Sequence, residues 1–218
     1  MNLWYSMRVL ATAAGLAFAL GAAQAQGAEP HEIHFQLVPN PSFVDCLARF
    51  PGDPSRPPTA DVRVTRGKLN DTLRMQLHNI KPGLGFDLFT VQRSPFLADG
   101  SKDTSFPGFG LAWYQSDVEV GTTGGATVEI KTILLDQIFG FDPDVTLAPT
   151  NSFHVGFWFN NLDDVFNCDP DHKQKATPFN GEHNAGPLAM ISLPDTQSDL
   201  GPLCTNPDFS TTPPTCNP

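Results

Sequence analysis

The chain has 218 residues, of which 23 are acidic and 13 are basic, and its formal net charge is −10 at pH 7. This acidic balance argues against nucleic acid and anionic membrane surfaces as partners, because both are negatively charged. The 21 prolines and 18 glycines predict many turns. Phenylalanine (17) far exceeds tyrosine (2), which predicts a core built on rings without a polar group.

The first 25 residues are typical of an export signal. Arg8 is the single charge in them, an apolar run follows it, and the small residues Ala23 and Ala25 fit cleavage before Gln26. Cleavage would remove one positive charge and leave a net charge of −11. The apolar run is too short to span a bilayer comfortably, so we expect no membrane span in the mature protein. The sequence therefore predicts a secreted or periplasmic protein.

Composition divides the rest of the chain into three parts. Residues 26–58 are predicted to form an N-terminal arm with a Pro-rich connector, residues 59–193 a β-sandwich domain, and residues 194–218 a disulfide-containing C-terminal tail. The length that remains after residue 25 suits a single domain.

A three-stranded meander forms the centre of the predicted domain. Leu73, Met75 and Leu77 alternate with polar residues, which is the period of a half-buried strand. Residues 61–66 alternate in the same way before it. After it, Pro82 and Gly83 predict a turn into a third strand over residues 85–91.

Further short strands are predicted on both sides of the meander, at residues 34–38, 110–120, 127–131, 153–159 and 187–193. Together they predict an all-β, antiparallel β-sandwich with long loops. The loop over residues 92–109 is unusually long, and loops of that length are usually functional or well packed. Residues 133–141 fit either a short helical turn or a buried crossover.

Four cysteines follow the predicted cleavage site: Cys46, Cys168, Cys204 and Cys216. An even number in an exported chain predicts two disulfides, for which three pairings are possible. Cys204 and Cys216 are close in sequence, so we expect them to pair and to leave Cys46 with Cys168. The second bridge would close a loop of more than a hundred residues and is expected to be worth about 4–5 kcal/mol.

The aromatic residues of two strands suggest a candidate pocket lined by Trp113, Phe157 and Trp158. The alternative is that these rings pack the core, as aromatic stripes in sandwiches usually do. His154 lies among these aromatics and is predicted to be a hydrogen-bonded core histidine rather than a catalytic or metal-binding one.

The order of several short motifs resembles the Cu/Zn superoxide dismutase family. These motifs are Lys81-Pro82-Gly83-Leu84 before Gly85-Phe86, then Asn161-Leu162-Asp163-Asp164 after an apolar strand, and Asn184-Ala185-Gly186-Pro187-Leu188-Ala189 at the last strand. The resemblance covers roughly residues 60–193 and implies a Greek-key arrangement of the sandwich. A fold by itself does not carry function.

The departures from that family concern its metal ligands. The family's Gly-Phe-His-Val-His is Gly85-Phe86-Asp87-Leu88-Phe89 in this chain, and Phe159 is read at the third copper position. The long loop over residues 92–109, which supplies zinc ligands in the family, contains no histidine. Imidazole is needed to hold copper while it cycles, so the resemblance implies the scaffold without the activity, and we expect no metal or other cofactor.

The sequence therefore favours an exported, non-enzymatic binding or envelope-associated module with an unknown ligand or envelope component as its partner. No Gly-x-Ser-x-Gly motif and no Cys-x-x-Cys motif is present. A metalloenzyme of superoxide dismutase type or descent is the alternative, supported by the order of motifs.

Overall fold

The computed structural model describes residues 31–67, 70–132, 146–148, 150–166 and 186–217. The predicted export signal, the stretch over residues 133–141 and Cys168 lie outside these residues, so the predictions made for them are untested.

Eight strands form the main sheet. They are β1 Glu32–Pro39, β2 Thr59–Thr65, β3 Asp71–His78, β4 Gly85–Val91, β5 Ala112–Glu119, β6 Ala126–Thr132, β7 His154–Phe159 and β8 Leu188–Ser192. Two short helices, α1 Val44–Leu47 and α2 Leu162–Phe166, follow β1 and β7. A small second sheet joins β9 Pro207–Asp208 to β10 Thr215–Cys216.

The eight strands are hydrogen-bonded in the order β5-β4-β7-β8-β1-β2-β3-β6, and every pair is antiparallel. The two edge strands, β5 and β6, are consecutive and joined by a hairpin turn in which Gly121 N donates to Gly125 O at 3.0 Å. The sheet is therefore nearly closed on itself. The predicted all-β antiparallel class is confirmed. β7 returns from β6 to lie beside β4, as in a Greek key.

The predicted three-stranded meander is wrong at its third strand. β2 and β3 pair as predicted and have an apolar inner face, but β3 pairs next with β6, and β4 lies between β5 and β7. The turn at Pro82 and Gly83 therefore leads the chain to another part of the sheet rather than back along β3. Val62 lies opposite Met75, and Met75 lies opposite Val128 on β6. Val62 and Met75 are fully buried, whereas Arg63 and Arg74, the next residues along, are exposed. This alternation is what the sequence period requires of a strand with one face in the core.

The predicted N-terminal arm is part of the sheet. β1 lies between β2 and β8, so it joins β2 and β3 to the last strand rather than packing outside the domain. Leu37 is buried and both strand edges of β1 are hydrogen-bonded. The short strand was predicted correctly, but the domain begins before residue 59. The Pro-rich connector between β1 and β2 suggested a domain boundary, although both strands belong to the same sheet.

β4 and β7 are buried at every position. Their inner side chains, such as Phe86 and Phe157, belong to the main core, whereas Phe89 and Trp158 belong to a second cluster on the outer face. Phe96 of the loop after β4 also belongs to this cluster, and Phe109 and Leu193 pack against it. The loop and the segment after β8 thus cover the outer face, as a strand apolar on both sides requires.

The C-terminal tail is attached to the start of β7. Leu203 N donates to Phe153 O at 3.3 Å, Ser152 Oγ donates to Gly201 O at 3.2 Å, and Cys216 N donates to Thr150 O at 2.9 Å. A Cβ at position 201 would collide with the Phe153 carbonyl oxygen, so only glycine permits this close approach. The tail is therefore packed on the sheet, which the weak patterning of its sequence did not predict.

Aspartate-centred turns hold the loops in place. In each Asp-x-Ser turn, the carboxylate accepts hydrogen bonds from the backbone N–H and the hydroxyl of the serine two residues later. Asp53, Asp99 and Asp103 do so with Ser55, Ser101 and Ser105. Such turns give short polar segments a defined conformation without the backbone hydrogen-bond ladder of a sheet.

Candidate functional site

A cavity of about 280 Å³ lies where the loop after β4 meets the segment after β8 and the tail. Its polar lining includes Gln92, Arg93, Asp103, His154 and Asp199. These residues come from three separate parts of the chain, namely the loop after β4, the start of β7 and the tail. The packing of the loop and the tail over β4 and β7 brings them together.

Gln92 and Arg93 directly follow β4 and fix the base of the long loop. Gln92 N donates to Leu111 O at 2.9 Å, and Gln92 Oε1 accepts from Leu111 N at 3.2 Å. Arg93 N donates to Phe109 O at 3.0 Å, and its Nη2 donates to Ala148 O at 3.0 Å. These bonds hold the guanidinium group in the wall of the cavity.

His154 begins β7, is 1% exposed and lines the cavity. Its Nδ1 lies 3.0 Å from Ser192 O and 3.1 Å from Ser192 Oγ. Burial lowers the pKa of this imidazole to about 4, although the hydrogen bond to Ser192 acts in the opposite direction. The ring is therefore neutral at pH 7. This outcome confirms the prediction of a hydrogen-bonded core histidine.

The hydrogen bonds also fix the tautomer of His154. A carbonyl oxygen can only accept, so Nδ1 carries the proton and Nε2 is left with a lone pair. Among the described residues, only Nδ1 of this ring is hydrogen-bonded. The imidazole that lines the cavity therefore offers an acceptor for an N–H or O–H donor of a ligand.

Two carboxylates add negative charge to the same cavity. Asp103 is held by its turn with Ser105, at 2.8 Å to the backbone nitrogen and 2.7 Å to the hydroxyl. Desolvation raises the pKa of Asp199, and the charge of Asp103 raises it further. Asp199 also has a φ of 59°, a left-handed conformation that aspartate tolerates better than most residues. Strained backbone of this kind often occurs at binding sites.

The cavity is suited to binding more than to nucleophilic catalysis. Ser105 Oγ donates to Asp103, and Ser198 Oγ donates to Asp195 at 3.0 Å, so these hydroxyls belong to turns and not to an imidazole pair. One guanidinium, two carboxylates and a neutral imidazole instead offer a small set of directed polar contacts in a concave site.

The structure does not bring the predicted pocket residues together. Phe157 and Trp158 are adjacent in β7 and belong to cores on opposite faces, while Trp113 is half-buried on the edge strand β5. Neighbouring residues of a strand point to opposite faces, so these three side chains cannot line one cavity. For Phe157 and Trp158, the alternative of core packing is correct.

Aromatic rings occupy the outer face where the resemblance would require copper ligands. Asp87 and Trp158 are opposite each other in register, and the Phe89 and Trp158 rings are 5.5 Å apart in an edge-to-face contact. Phe159, read at the third copper position, is fully buried and faces the inner core with Phe86. Trp158, not Phe159, therefore shares a face with Asp87 and Phe89.

The predicted bridge between Cys204 and Cys216 is present, with a Cα–Cα distance of 5.7 Å. Cys46 is buried in α1 and is not a free thiol. Its predicted partner, Cys168, lies outside the described residues, so that pairing stays a prediction.

Within the described ranges, no three His, Cys, Asp or Glu side chains lie close enough together to hold a metal ion. No helix among the described residues is long and apolar enough to cross a membrane. No protein-family model, curated protein or solved structure matches this chain.

The sequence drew attention to the long loop but not to the residues that make the site. Arg93, Asp103 and Asp199 stand in Ser-, Pro- and Asp-rich segments that read as ordinary turns. The available signals were the unusual length of the loop and the Asp-x-Ser spacing at Asp103. Neither shows that the C-terminal tail would fold back to complete the cavity.

Proposed function

We propose that this chain is an exported, non-enzymatic binding protein that holds a small, amine-bearing polar ligand in the cavity beside His154. The observation that supports this most strongly is the buried, neutral imidazole with its Nε2 lone pair free to accept a donor. A ligand N–H or O–H can donate a hydrogen bond to this lone pair.

The charges around the imidazole support the amine class. Asp103 and Asp199 would favour a cationic ammonium group, and Arg93 would favour a carboxylate at the other end of the ligand. The cavity volume of about 280 Å³ is at the low end for ligand sites, so the ligand is small. Ethanolamine and glycine represent a simple amine and a zwitterion of suitable size.

Export is part of the same proposal. The Cys204–Cys216 disulfide and the signal-like first 25 residues support an oxidising destination, either outside the cell or in an envelope compartment. The partner would then be a small molecule or an envelope component that carries such an amine.

The resemblance to superoxide dismutases is retained as a proposal about the scaffold. The return of β7 to the side of β4 supports it, because Greek-key sandwiches share that connection. The alternative of a metalloenzyme needs imidazoles beside Asp87. The rings of Phe89 and Trp158 lie there instead, and nothing in the described residues favours that alternative over binding.

Calorimetric titration of the mature chain with ethanolamine, glycine and acetate tests the proposal. Ethanolamine and glycine should bind saturably and acetate should not. Asp199→Asn should weaken ethanolamine binding at least roughly tenfold, as expected for a lost charge-assisted contact. Glu119→Gln removes the same charge on an exposed position of β5 and should change the affinity less than about twofold.

Two results would overturn the proposal. One is the absence of saturable binding by either amine. The other is equal binding by the wild-type chain and the Asp199→Asn variant, which would place any amine site elsewhere.

A further inference from the structure

Two arginines and a histidine lie in one row on the outer face of strands β1, β2 and β3. His34 of β1 is opposite Arg63 of β2, and Arg63 is opposite Arg74 of β3. All three side chains are exposed. Directly opposite residues have Cβ atoms about 4.5–5.5 Å apart, so the two guanidinium groups can reach one small ligand.

This row is unfavourable for folding by itself. Like charges directly opposite each other destabilise an antiparallel pair. The protein has 13 basic residues against 23 acidic ones, so positive charge is scarce in it. A placement that costs stability and concentrates scarce positive charge suggests a use for that charge.

Protein carboxylates neutralise the row only in part. Arg63 Nη1 lies 3.3 Å from Glu32, but the Arg63 side chain is 56% exposed. Arg74 is opposite Glu129 on β6 in register, yet Arg74 forms no ion pair with any residue in the described part of the chain. Exposed pairs such as Arg63 with Glu32 are weak, so Arg63 remains available to a ligand.

The row borders a depression of about 230 Å³, which is also lined by Asp61, Val62 and Gln76. Asp61 is the one carboxylate in this lining, and its Oδ1 accepts a hydrogen bond from Gln36 Nε2 at 2.9 Å. Gln76 lies opposite Asp61 and has an amide group that can donate. The depression therefore combines two guanidinium groups with one neutral amide donor and one carboxylate that is already hydrogen-bonded.

We propose that this depression binds a small tetrahedral oxyanion, a sulfate or phosphate group, bridged between Arg63 and Arg74. Guanidinium groups bind such oxyanions through paired, charge-assisted hydrogen bonds. A bridging oxyanion turns the repulsion between the arginines into two attractive contacts. The group is either the free anion or the head of a small monoester, and this site is separate from the cavity beside His154.

Titration of the mature chain with inorganic phosphate and with glycerol phosphate, at low ionic strength, tests this assignment. At least one of the two should bind saturably, and the tighter one identifies the source. Arg74→Gln and Arg63→Gln should each weaken that binding roughly tenfold or more, while Lys131→Gln should change it less than about twofold. Lys131 is the matched control because it is an exposed cation on the neighbouring strand β6.

Melting temperature provides a second readout. Without added anion, Arg74→Gln should melt at the same temperature as the wild-type chain or higher, because it removes a like-charge contact. Added phosphate should raise the melting temperature of the wild-type chain more than that of the variant. The absence of saturable binding by both probes, or equal weakening by Lys131→Gln, would overturn the assignment, and so would a lower melting temperature for Arg74→Gln without anion.

Discussion

Two regions of one sheet are built differently. In β4 and β7 every residue is buried, whereas in β2 and β3 buried and partly exposed residues alternate. We call β4, β7 and β8 the covered half and β1, β2 and β3 the open half. The covered half has apolar clusters on both faces, and its cover also forms the cavity beside His154. The difference shows that the cavity depends on the loop after β4 and the tail and is not a property of the sheet alone.

The largest expected effect is a difference in the free energy of unfolding between variants at outer-face residues of the two halves. Trp158→Ala in the covered half removes a side chain that is 1% exposed and should lower the free energy of unfolding by about 3–5 kcal/mol. Gln76→Ala on the outer face of the open half should change it by less than about 0.5 kcal/mol. Denaturant unfolding of both variants checks this. Similar losses in the two variants would contradict the division into halves.

The next effect concerns the attachment of the tail. Replacement of Cys204 and Cys216 together by serine opens a loop with a sequence separation of 12. The chain-entropy model gives a loss of about 3 kcal/mol. The tail is hydrogen-bonded to residues 150–153. We therefore expect this loss of stability in the main unfolding transition and not in a separate, earlier one. If guanidinium unfolding of the variant kept the wild-type midpoint, the tail would be independent of the sheet.

The third effect is a dependence of stability on pH in the covered half. Burial holds the pKa of His154 at about 4, below its ordinary value of 6.5. The unfolded chain therefore binds a proton more readily, and the stabilisation is complete above about pH 6.5 and is lost as the pH falls towards 4. Between about pH 7.5 and pH 4.5 this loss should be about 2–3 kcal/mol.

Urea unfolding of a His154→Gln variant at the two pH values isolates this contribution, because the variant should lack it. His78→Gln removes an exposed histidine of β3 and should keep the wild-type pH dependence. A His154→Gln variant with the same pH dependence as the wild-type chain would mean that this imidazole titrates normally.

The smallest effect should be found at the cavity rim. Folding raises the pKa of Asp199, so Asp199→Asn should leave the stability at pH 7 unchanged or slightly higher. Asp199→Ala should lower it by about 1 kcal/mol, because alanine is strained at a φ of 59°. Thermal melts of the two variants make the comparison. A destabilised Asp199→Asn variant would indicate that the carboxylate supports the fold.

The open half could be predicted from the sequence because its pattern is local. The alternation of Leu73, Met75 and Leu77 specifies both a strand and its inner face. In the covered half the period is absent, so the strands were predicted but the faces of Phe157 and Trp158 were not. The pairing of β1 and the folding back of the tail depend on contacts between residues that are distant in sequence, such as Leu203 and Phe153. A local sequence pattern does not contain such contacts. The cavity depends on those contacts and could not be predicted for the same reason.

The most direct test of the account is the nitrogen NMR spectrum of the His154 side chain during a titration with ethanolamine. We expect a neutral ring protonated at Nδ1, and a saturable shift of the Nε2 resonance that the Asp199→Asn variant shows only at much higher ligand concentration. An Nε2 resonance that stays unchanged at saturating ethanolamine, or a ring protonated at Nε2, would contradict the claim that the covered half forms a binding site around this histidine.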